Sequence, residues 1–367
     1  MRSYSRQKIT TQDLEAVKKA LKADILTGGK TNEEFEKEIK TYTKTKYAIT
    51  FNNATSALVA AYFVAGLGKG DEFITSPISF VATANAGFLW GAKPVFCEVK
   101  PNGQIDEELI ESKITAKTKA IVPVHYSGNL SEITKIKKIA KKYNLFMIED
   151  AAHAFGSKLD DEFVGGFGDM SIFSFHPVKP LTTLEGGAVT TNNEDFYLRL
   201  KNFRSHGVLK QDLWKQDMRG FGLNFRLNDV SAALGLSQLK RLESFISQRE
   251  EVALFYDEKI AKIDELSSIV LPKNIRSTRH LYPVLLAEKL LPKKEKLFAT
   301  LQKKGLGVQV HYKPINQMSF YKNQGFGQTK SANDFYKKEL SIPCHQNLTL
   351  KDAKKVIKIL KEAILAV

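Results

Sequence analysis

The sequence predicts an α/β protein in which a mainly parallel sheet is flanked by helices. Short β-rich runs alternate with segments of helical periodicity, which predicts this fold class. The alternation weakens after about residue 245, which predicts a second domain. We therefore predict a large α/β domain over residues 1–245 and a small α+β domain over residues 246–367. With 367 residues, 43% of them hydrophobic, the chain is long enough to form both cores.

Two helices of the large domain are predicted from apolar residues spaced three or four apart, the first behind an acidic first turn and the second after Ser131. The apolar faces are Leu14, Val17 and Leu21 in the first helix and Ile133, Ile136 and Ile139 in the second.

Strands are predicted where short runs rich in β-branched and aromatic residues lie between these helical segments. In chain order they are EFITS (72–76), KAIVPV (119–124), LFMI (145–148), SIFSF (171–175) and GAVTT (187–191).

The small domain is Lys-rich and mixes both kinds of element. HLYPVLL (280–286) and GVQVHY (307–312) are predicted as strands, and Val356, Leu360 and Ile364 predict a final helix with one apolar face. No internal repeat or low-complexity linker interrupts the chain.

The formal net charge of +15 raises the question of a nucleic-acid partner. The Lys residues, however, are spread along amphipathic segments such as KKIAKKY and DAKKVIKILKEAI, without interleaved aromatic residues. Solvated helix faces explain this pattern, so we predict no nucleic-acid binding. A basic surface still favours an anionic small molecule such as a nucleotide sugar.

Cysteine content and hydropathy exclude several other classes. Cys97 and Cys344 are too few and too far apart to indicate a disulfide framework, and no Cys/His cluster has zinc spacing, so no metal site is predicted. The opening MRSYSRQKITTQ lacks the features of a signal peptide, and no uncharged apolar stretch approaches the roughly 20 residues that span a bilayer. We therefore expect a cytoplasmic protein without membrane contact.

Lys179 and Asp150 together predict pyridoxal 5′-phosphate chemistry. Asp150 closes the apolar run LFMIED, and ligands of open α/β sheets bind outside the carboxyl ends of strands. A carboxylate can keep a pyridine nitrogen protonated, and a Lys amine can hold an aldehyde cofactor as a Schiff base. Pro177 and Pro180 exclude a regular helix around Lys179 and favour a loop. A helix-capping Asp and an ordinary surface Lys are the alternatives.

The cofactor phosphate requires backbone amides at a helix start. FNNATSAL (51–58) leads into an apolar helical pattern, with Thr55 near the first turn, and Ser174 could add a hydroxyl. The alternatives are that Thr55 belongs to an ordinary helix cap and that Ser174 is a buried residue bonded to the backbone. His153 could hydrogen-bond a cofactor oxygen or could be structural. Glu149 points to the opposite face of the predicted strand, so it is not a candidate for binding the cofactor.

These motifs carry a resemblance that runs from Tyr4 to the last helix. The chain resembles the DegT/DnrJ/EryC1/StrS family of sugar aminotransferases, and several motifs occur in the family's order. They are DILTGGKTNEEFE, FNNATSAL, SPISFVATANA, IEDAAHAFG, SFHPVKPLTTLEGG and GFGLNFRLND. The resemblance implies the aspartate-aminotransferase fold (fold type I), with a large mixed-sheet domain and a small C-terminal α+β domain.

The resemblance also implies a role at each matching position. Lys179 would be the catalytic Schiff-base residue, Asp150 the partner of the pyridine nitrogen, His153 a partner of the ring oxygen, and Phe80 the aromatic residue stacked on the ring. Ala54, Thr55 and Ser174 would hold the phosphate, together with Asn224 of the neighbouring subunit of a homodimer with shared active sites. The substrate candidates are Tyr4, Lys30, Arg226, His311 and Tyr312, among which Lys30 and Arg226 suit a diphosphate.

Within the family, ILTGGK, SFHPVKP, RSHG, RHLYP, VQVHYKP and SIPCHQ resemble members that aminate C4 of UDP-linked 4-keto-6-deoxy-N-acetylhexosamines for pseudaminic acid. The resemblance implies L-glutamate as the donor and 2-oxoglutarate as its product. The alternatives are another keto sugar, as in the UDP-bacillosamine, legionaminic or dTDP-sugar pathways, or a non-aminating protein of the same fold. A dehydratase of this fold would lack Lys179, and a regulator would be expected to carry a DNA-binding extension.

Overall fold

The computed structural model describes residues 3–210 and 214–367 and contains a seven-stranded mixed sheet covered by helices on both faces. In chain order the strands are β1 (Tyr47–Phe51), β2 (Glu72–Thr75), β3 (Lys93–Phe96), β4 (Thr118–Val122), β5 (Phe146–Asp150), β6 (Lys158–Leu159), β7 (Glu162–Phe163), β8 (Met170–Ser174), β9 (Gly187–Thr191), β10 (Val208–Lys210), β11 (Gln216–Met218), β12 (Leu266–Ser268), β13 (Ile275–Arg276), β14 (Tyr282–Leu286) and β15 (Glu339–Ile342).

The α-helices connect these strands and close the small domain. In chain order they are α1 (Thr11–Leu21), α2 (Lys30–Thr43), α3 (Ala54–Val64), α4 (Ala82–Leu89), α5 (Ile133–Lys142), α6 (Glu194–Phe203), α7 (Asp229–Leu239), α8 (Leu242–Ile260), α9 (Lys294–Lys303), α10 (Ser319–Asn323), α11 (Lys330–Lys338) and α12 (Leu350–Leu365).

The large sheet has the strand order β1-β9-β8-β5-β4-β2-β3. Neighbouring strands from β8 through β5, β4 and β2 to β3 are parallel, whereas β9 pairs antiparallel with both β8 and β1. The predicted α/β class is confirmed, and so is the mixed sheet that the family resemblance implies. All the parallel strands direct their carboxyl ends to one edge, where a ligand site is expected.

Side-chain alternation explains why this sheet is covered on both faces. In β5, Met147 packs into one apolar core while Ile148 packs into the other, and in β8 Phe173 and Ile172 are divided in the same way. A strand that is buried on both faces has a continuous apolar run, which is the pattern seen in LFMI and SIFSF.

The predicted strands and helices of the large domain are observed with small shifts at their ends. GAVTT forms β9 with the predicted bounds, and β2, β4, β5 and β8 cover the other four runs. The face of α5 that carries Ile133, Ile136 and Ile139 is buried as predicted. In α1, by contrast, Leu14 and Leu21 are 60% and 58% exposed, so the predicted apolar face is not covered within this chain.

The small domain forms around the antiparallel sheet β12-β14-β15, which packs against α8, α9 and α12. HLYPVLL supplies β14, and the final helix is α12, as predicted. The strand predicted for GVQVHY is wrong: within the described residues this segment makes one isolated bridge, between Gln309 and Ser341. An extended segment with alternating polarity resembles a strand in sequence, but beyond the bridge at Gln309 its residues His311 and Tyr312 line a cavity.

Helix α8 passes through the predicted boundary at residue 245. Its first turns, at Leu242 and Ile246, pack into the core of the large sheet, whereas Val252 and Tyr256 pack into the core of the small one. The division at residue 245 stays a prediction. None of the helices in the described part of the chain combines the length and apolar character needed to cross a bilayer.

Candidate active site

A cavity of about 730 Å³ lies at the carboxyl edge of the parallel strands, beside the start of α3. Its volume is within the roughly 300–1,000 Å³ of typical small-molecule sites. It brings together most of the residues singled out in the sequence. Among its lining residues are Tyr4, Ala54, Thr55, Phe80, Asp150, His153, Ser174, Lys179, His311 and Tyr312.

Asp150 is the last residue of β5, and its side chain is buried against the cavity. Its Oδ2 accepts a hydrogen bond of 2.6 Å from the hydroxyl of Thr83, and its Oδ1 accepts one of 3.2 Å from the Ala152 amide. Within the described part of the chain it makes no ion pair. Burial therefore raises the pKa of Asp150, while the charge of Lys179 acts in the opposite direction. A positive partner in the cavity would stabilise the ionised form of this carboxyl.

Lys179 lies on the loop after β8 that Pro177 and Pro180 predicted. Its Nζ is 3.4 Å from Nε2 of His280, a histidine that is itself buried. Burial lowers the pKa of Lys179 to about 7, with Asp150 opposing the shift. An amine with this pKa is substantially unprotonated near neutral pH, and the unprotonated form is the nucleophile.

His153 is held in one orientation by its neighbours. Its Nδ1 accepts a hydrogen bond of 3.2 Å from the Ser127 amide, and its Nε2 lies 3.2 Å from the hydroxyl of Tyr312. Burial lowers the pKa of His153 well below its ordinary value, so the ring is neutral. Because Nδ1 accepts, Nε2 carries the proton of the neutral ring and can donate into the cavity.

The start of α3 supplies the anion-binding end of the cavity. Asn53 caps the helix: its side chain accepts from the Ser56 amide at 2.8 Å. The ordinary cap considered for Thr55 is therefore at Asn53 instead, which leaves the Thr55 side chain exposed on the cavity wall. Backbone amides at a helix start carry partial positive charge and suit a phosphate.

Phe80 and Ser174 complete the lining from the ends of two other strands. Phe80 follows β2, is 61% exposed, and faces the cavity. Ser174 is the last residue of β8, and its Oγ accepts a long hydrogen bond of 3.5 Å from the His176 amide. The flat ring of Phe80 suits the face of an aromatic cofactor, and the buried carboxyl and the amine suit its edge.

Glu149 shows the alternation of β5 directly. It points away from the cavity, as predicted, and its carboxylate bonds His125 Nε2 at 2.9 Å and the Ser171 hydroxyl at 2.6 Å. Adjacent acidic residues thus have separate functions, because consecutive side chains of a strand point to opposite faces.

Lys30, Asn224 and Arg226 do not line this cavity within the described residues. Lys30 opens α2 and is exposed, Asn224 is exposed beside its bridge to Ser205, and Arg226 is half-buried. Their roles stay predictions.

Three residues at the site were not singled out in the sequence. Thr83 bonds Asp150, His280 bonds Lys179, and Arg249 donates to the His280 carbonyl at 3.3 Å. Thr83 lies inside the motif SPISFVATANA and His280 inside RHLYP, so the motifs could have indicated both residues as part of the site. His176, between Ser174 and Lys179, also lines the cavity and is exposed.

The residues present fit pyridoxal 5′-phosphate on structural grounds. Asp150 is a buried carboxyl without an ion-pair partner in the described chain, and a protonated pyridine nitrogen would supply one. Lys179 is an amine of lowered pKa on the same wall, and the α3 start suits the phosphate. Within the described residues no cluster of His, Cys, Asp and Glu could hold a metal ion.

A sequence profile of the DegT/DnrJ/EryC1/StrS aminotransferase family matches residues 7–361. The chain belongs to this family. Membership confirms both the recognised resemblance and pyridoxal phosphate as the cofactor of this aminotransferase.

Relatives within the DegT/DnrJ/EryC1/StrS family are similar along nearly the whole chain. UDP-4-amino-4,6-dideoxy-N-acetyl-β-L-altrosamine transaminase of Campylobacter jejuni is 47% identical over 358 residues, which is 96% of this chain and 95% of that protein. The Helicobacter pylori transaminase of the same name is 42% identical over 96% of this chain and 95% of that protein.

Solved structures of family members have the same fold. PseC of Helicobacter pylori, an aminotransferase of pseudaminic acid biosynthesis, superimposes with a TM-score of 0.97 at 40% identity, covering 100% of this chain and 99% of that one. The sugar aminotransferase Spr1654 of Streptococcus pneumoniae, in its PMP form, gives a TM-score of 0.94 at 28% identity over 98% of both chains. The fold type I architecture is thereby confirmed.

Proposed function

We propose that this aminotransferase moves an amino group from L-glutamate to C4 of a UDP-linked 4-keto-6-deoxy-N-acetylhexosamine. The product would be UDP-4-amino-4,6-dideoxy-N-acetyl-β-L-altrosamine, a precursor of pseudaminic acid. The observation that carries the proposal is the likeness along the whole chain to transaminases named for that product. The L-glutamate donor and the cytoplasmic location are retained as predictions.

The cofactor would be held by residues of four separate elements. Lys179 would be its attachment point, Asp150 would bond the ring nitrogen, and Phe80 would cover one face of the ring. The amides at the start of α3, with Thr55 and Ser174, would hold the phosphate. When bound, this group supplies an electron-accepting ring that stabilises negative charge on the carbon from which a proton is removed.

Lys179 would perform the proton transfers on both substrates. Its pKa of about 7 would let the freed amine accept a proton from the donor α-carbon near neutral pH and pass it to the cofactor carbon; with the keto sugar the same amine would carry a proton in reverse, to C4 of the sugar. Asp150 would keep the ring nitrogen protonated throughout. The His153 ring, fixed by the Ser127 amide, would donate from Nε2 to the ring oxygen in place of the Tyr312 hydroxyl.

The sugar would bind at the part of the cavity lined by Tyr4, His311 and Tyr312. The rings of Tyr4 and His311 have centroids 5.2 Å apart, so they form one continuous wall. Lys30 and Arg226, which lie outside this cavity, would bind the diphosphate from the neighbouring subunit.

We further propose a homodimer in which each active site is completed by its partner. Asn224 is exposed and outside its own cavity, as a residue that acts across an interface must be. The exposed face of α1, at Leu14 and Leu21, continues to Ile25 and Leu26, which are also exposed. Several large exposed apolar side chains so close together in the chain support an interaction surface here.

Single-turnover spectroscopy tests the reaction. The protein is loaded with pyridoxal phosphate, treated with L-glutamate, freed of small molecules and challenged with defined UDP-4-keto sugars. Visible cofactor absorbance is expected to fall with L-glutamate and to return only with a competent keto sugar.

The identity of the competent sugar decides the pathway. If the visible cofactor absorbance returns with the L-arabino-configured 4-keto-6-deoxy-N-acetylhexosamine, the proposal is supported. If the absorbance returns only with a different sugar, the assignment to pseudaminic acid is overturned, but the aminotransferase activity stands. Loss of absorbance with L-glutamate and no return with any keto sugar overturns the sugar acceptor altogether.

A further inference from the structure

A chain of buried hydrogen bonds connects His311, on the cavity wall, to two residues of β15. The Ser341 hydroxyl lies 2.8 Å from Nδ1 of His311 and 2.6 Å from Oε1 of Glu339. The other carboxyl oxygen of Glu339 accepts the His311 backbone N–H at 2.7 Å. All three side chains are buried. Nε2 of His311 is the ring nitrogen left without a partner among the described residues.

The positions of the protons in this chain follow from the number of hydrogens each group has. An ionised Glu339 can only accept, so the single hydroxyl hydrogen of Ser341 points to it. The Ser341 oxygen can then only accept from the ring, so Nδ1 of His311 carries the hydrogen. A neutral imidazole has one N–H, which leaves Nε2 as a bare acceptor.

When Glu339 is neutral, the donor and acceptor in each side-chain hydrogen bond of this chain exchange roles. The backbone N–H of His311 still requires an acceptor at Oε2, so the carboxyl hydrogen must be on Oε1 and point to Ser341. Ser341 then donates to Nδ1, and the ring hydrogen moves to Nε2. The two charge states of Glu339 therefore give opposite hydrogen-bonding characters at Nε2.

The groups around Glu339 permit both charge states. Burial raises the pKa of Glu339, and Lys294, at the start of α9, opposes the shift while it is charged; burial lowers the pKa of Lys294 itself to about 8. The hydroxyl of Tyr126, after β4, is buried beside both Glu339 and Ser341 without the geometry of a hydrogen bond to either, and its proximity favours the ionised form of Glu339. Burial lowers the pKa of His311 to about 3, with the nearby Lys179 acting in the same direction, so the ring stays neutral while Glu339 titrates.

We propose that the charge on Glu339 selects the tautomer of His311 through Ser341, and thereby decides whether Nε2 accepts or donates a hydrogen bond in the cavity. Glu339 and Ser341 are positioning residues in this scheme. The consequence for the sugar rests on the proposed function: with Glu339 ionised, Nε2 would accept from a hydroxyl or acetamido N–H of the sugar nucleotide. The tautomer itself does not depend on any substrate.

Nitrogen NMR of the cofactor-loaded protein, without sugar, tests the tautomer directly. The chain has seven histidines, and His311→Gln assigns the His311 signals in protein labelled with ¹⁵N-histidine. Between about pH 6 and about pH 10, where Glu339 of raised pKa titrates, the proton should move from Nε2 to Nδ1. A ring with the same tautomer at both ends of this range overturns the proposal.

Glu339→Gln is the decisive variant because its amide can have only one orientation. The His311 backbone N–H requires the amide oxygen, so the NH₂ group faces Ser341 and mimics the neutral carboxyl. His311 should then carry its proton on Nε2 at every pH. A Glu339→Gln protein that still shows a pH-dependent change of tautomer contradicts the role of Glu339.

Ser341→Thr and Ser341→Ala form a matched pair. Thr keeps the hydroxyl and should keep the pH-dependent tautomer, whereas Ala breaks the chain and should abolish the dependence. In Glu339→Gln, where Nε2 can no longer accept, the KM for the UDP-keto sugar should rise about tenfold at a pH where wild-type Glu339 is ionised, the effect of one lost hydrogen bond to a substrate, while the half-reaction with L-glutamate is unchanged. An unchanged KM with an altered tautomer would refute the link to the sugar, and loss of the L-glutamate half-reaction would point to a folding defect.

Discussion

Nζ of Lys179 lies 3.4 Å from Nε2 of His280, a residue 101 positions further along the chain. The two residues come from different parts of the fold: Lys179 follows β8 of the large sheet, and His280 precedes β14 of the small one. Arg249 of α8 holds the His280 backbone by donating to its carbonyl. The small domain thus helps to position the amine on which the proposed chemistry depends.

Lys179→Ala is expected to abolish multiple turnover. The amine is proposed to act as both attachment point and proton carrier, and a positioned general base contributes roughly 10²–10⁴-fold to a rate. A steady-state assay with L-glutamate and the keto sugar measures the loss. Lys137→Ala, at an exposed position of α5, is the control and should retain wild-type activity. A Lys179→Ala enzyme that releases many equivalents of product would disprove this role.

Asp150→Asn should slow both half-reactions without destabilising the cofactor-free protein. The amide keeps the shape and the hydrogen bond from Thr83, but it cannot keep a pyridine nitrogen protonated. Because burial raises the pKa of Asp150, removing its charge stabilises the fold, but an Asn oxygen that accepts from Thr83 leaves the NH₂ group facing the Ala152 N–H; the two contributions oppose each other, so Tm should change little. Stopped-flow absorbance and thermal unfolding measure the two effects. Equal rates in wild type and variant would contradict the assignment.

His280→Leu is expected to lower kcat about tenfold, the effect of one lost hydrogen bond on the Lys179 amine, with a smaller change in KM. His280→Gln, which keeps a polar group near the same place, should recover part of the loss. The split between kcat and KM, measured with L-glutamate, separates positioning from a general structural defect. A rise in KM alone would show that His280 serves binding and not the amine.

The stability of the cofactor-free protein should depend on pH through Lys179. Its folded pKa of about 7 is below the value of about 10.4 for an exposed Lys. Between these values the unfolded chain binds more protons, so the free energy of unfolding should rise with pH, by at most about 1.4 kcal/mol per unit. Partial solvent exposure reduces this limit.

Lys179→Met isolates this contribution. Its stability advantage over the wild type should be largest near about pH 6 and should shrink towards about pH 10, because the wild type alone gains stability in that window. Urea unfolding at a series of pH values gives the difference, with Lys137→Met as the control. Parallel curves for the wild type and Lys179→Met would show that the Lys179 pKa is not lowered.

Shared active sites predict recovery of activity in mixed dimers. Lys179→Ala and Asn224→Ala should each be defective alone. If Asn224 acts across the interface, half of a randomised mixture is heterodimer, and one of its two sites is intact, giving about a quarter of wild-type activity. If Asn224 acted in its own subunit, the mixture would stay inactive.

The exposed α1 face provides the control for this experiment. Leu14→Asp places a charge on that face and should prevent dimer formation, which light scattering measures directly. Added to both mutants, it should abolish recovery on mixing. Leu365→Asp, at the exposed end of α12, should affect neither dimer formation nor recovery.

The sequence identified the large sheet and the centre of the site because local signals agree there. The runs LFMI and SIFSF are buried on both faces, so they are apolar throughout and easily recognised as strands. Asp150 was recognisable because a carboxyl that closes such a run lies at the ligand-binding edge. GVQVHY was wrongly predicted as a strand, because alternation alone does not distinguish a ladder from an extended loop.

The sequence by itself determined the fold class, the family, the cofactor and the positions of Lys179 and Asp150, since each depends on a short motif or a local period. Only the tertiary structure decided that His280 faces Lys179, that Thr83 bonds Asp150, and that Glu339 lies behind His311. These contacts join residues from separate elements, and their hydrogen bonds form only when packing removes water from around both partners. No local pattern of residues contains that information.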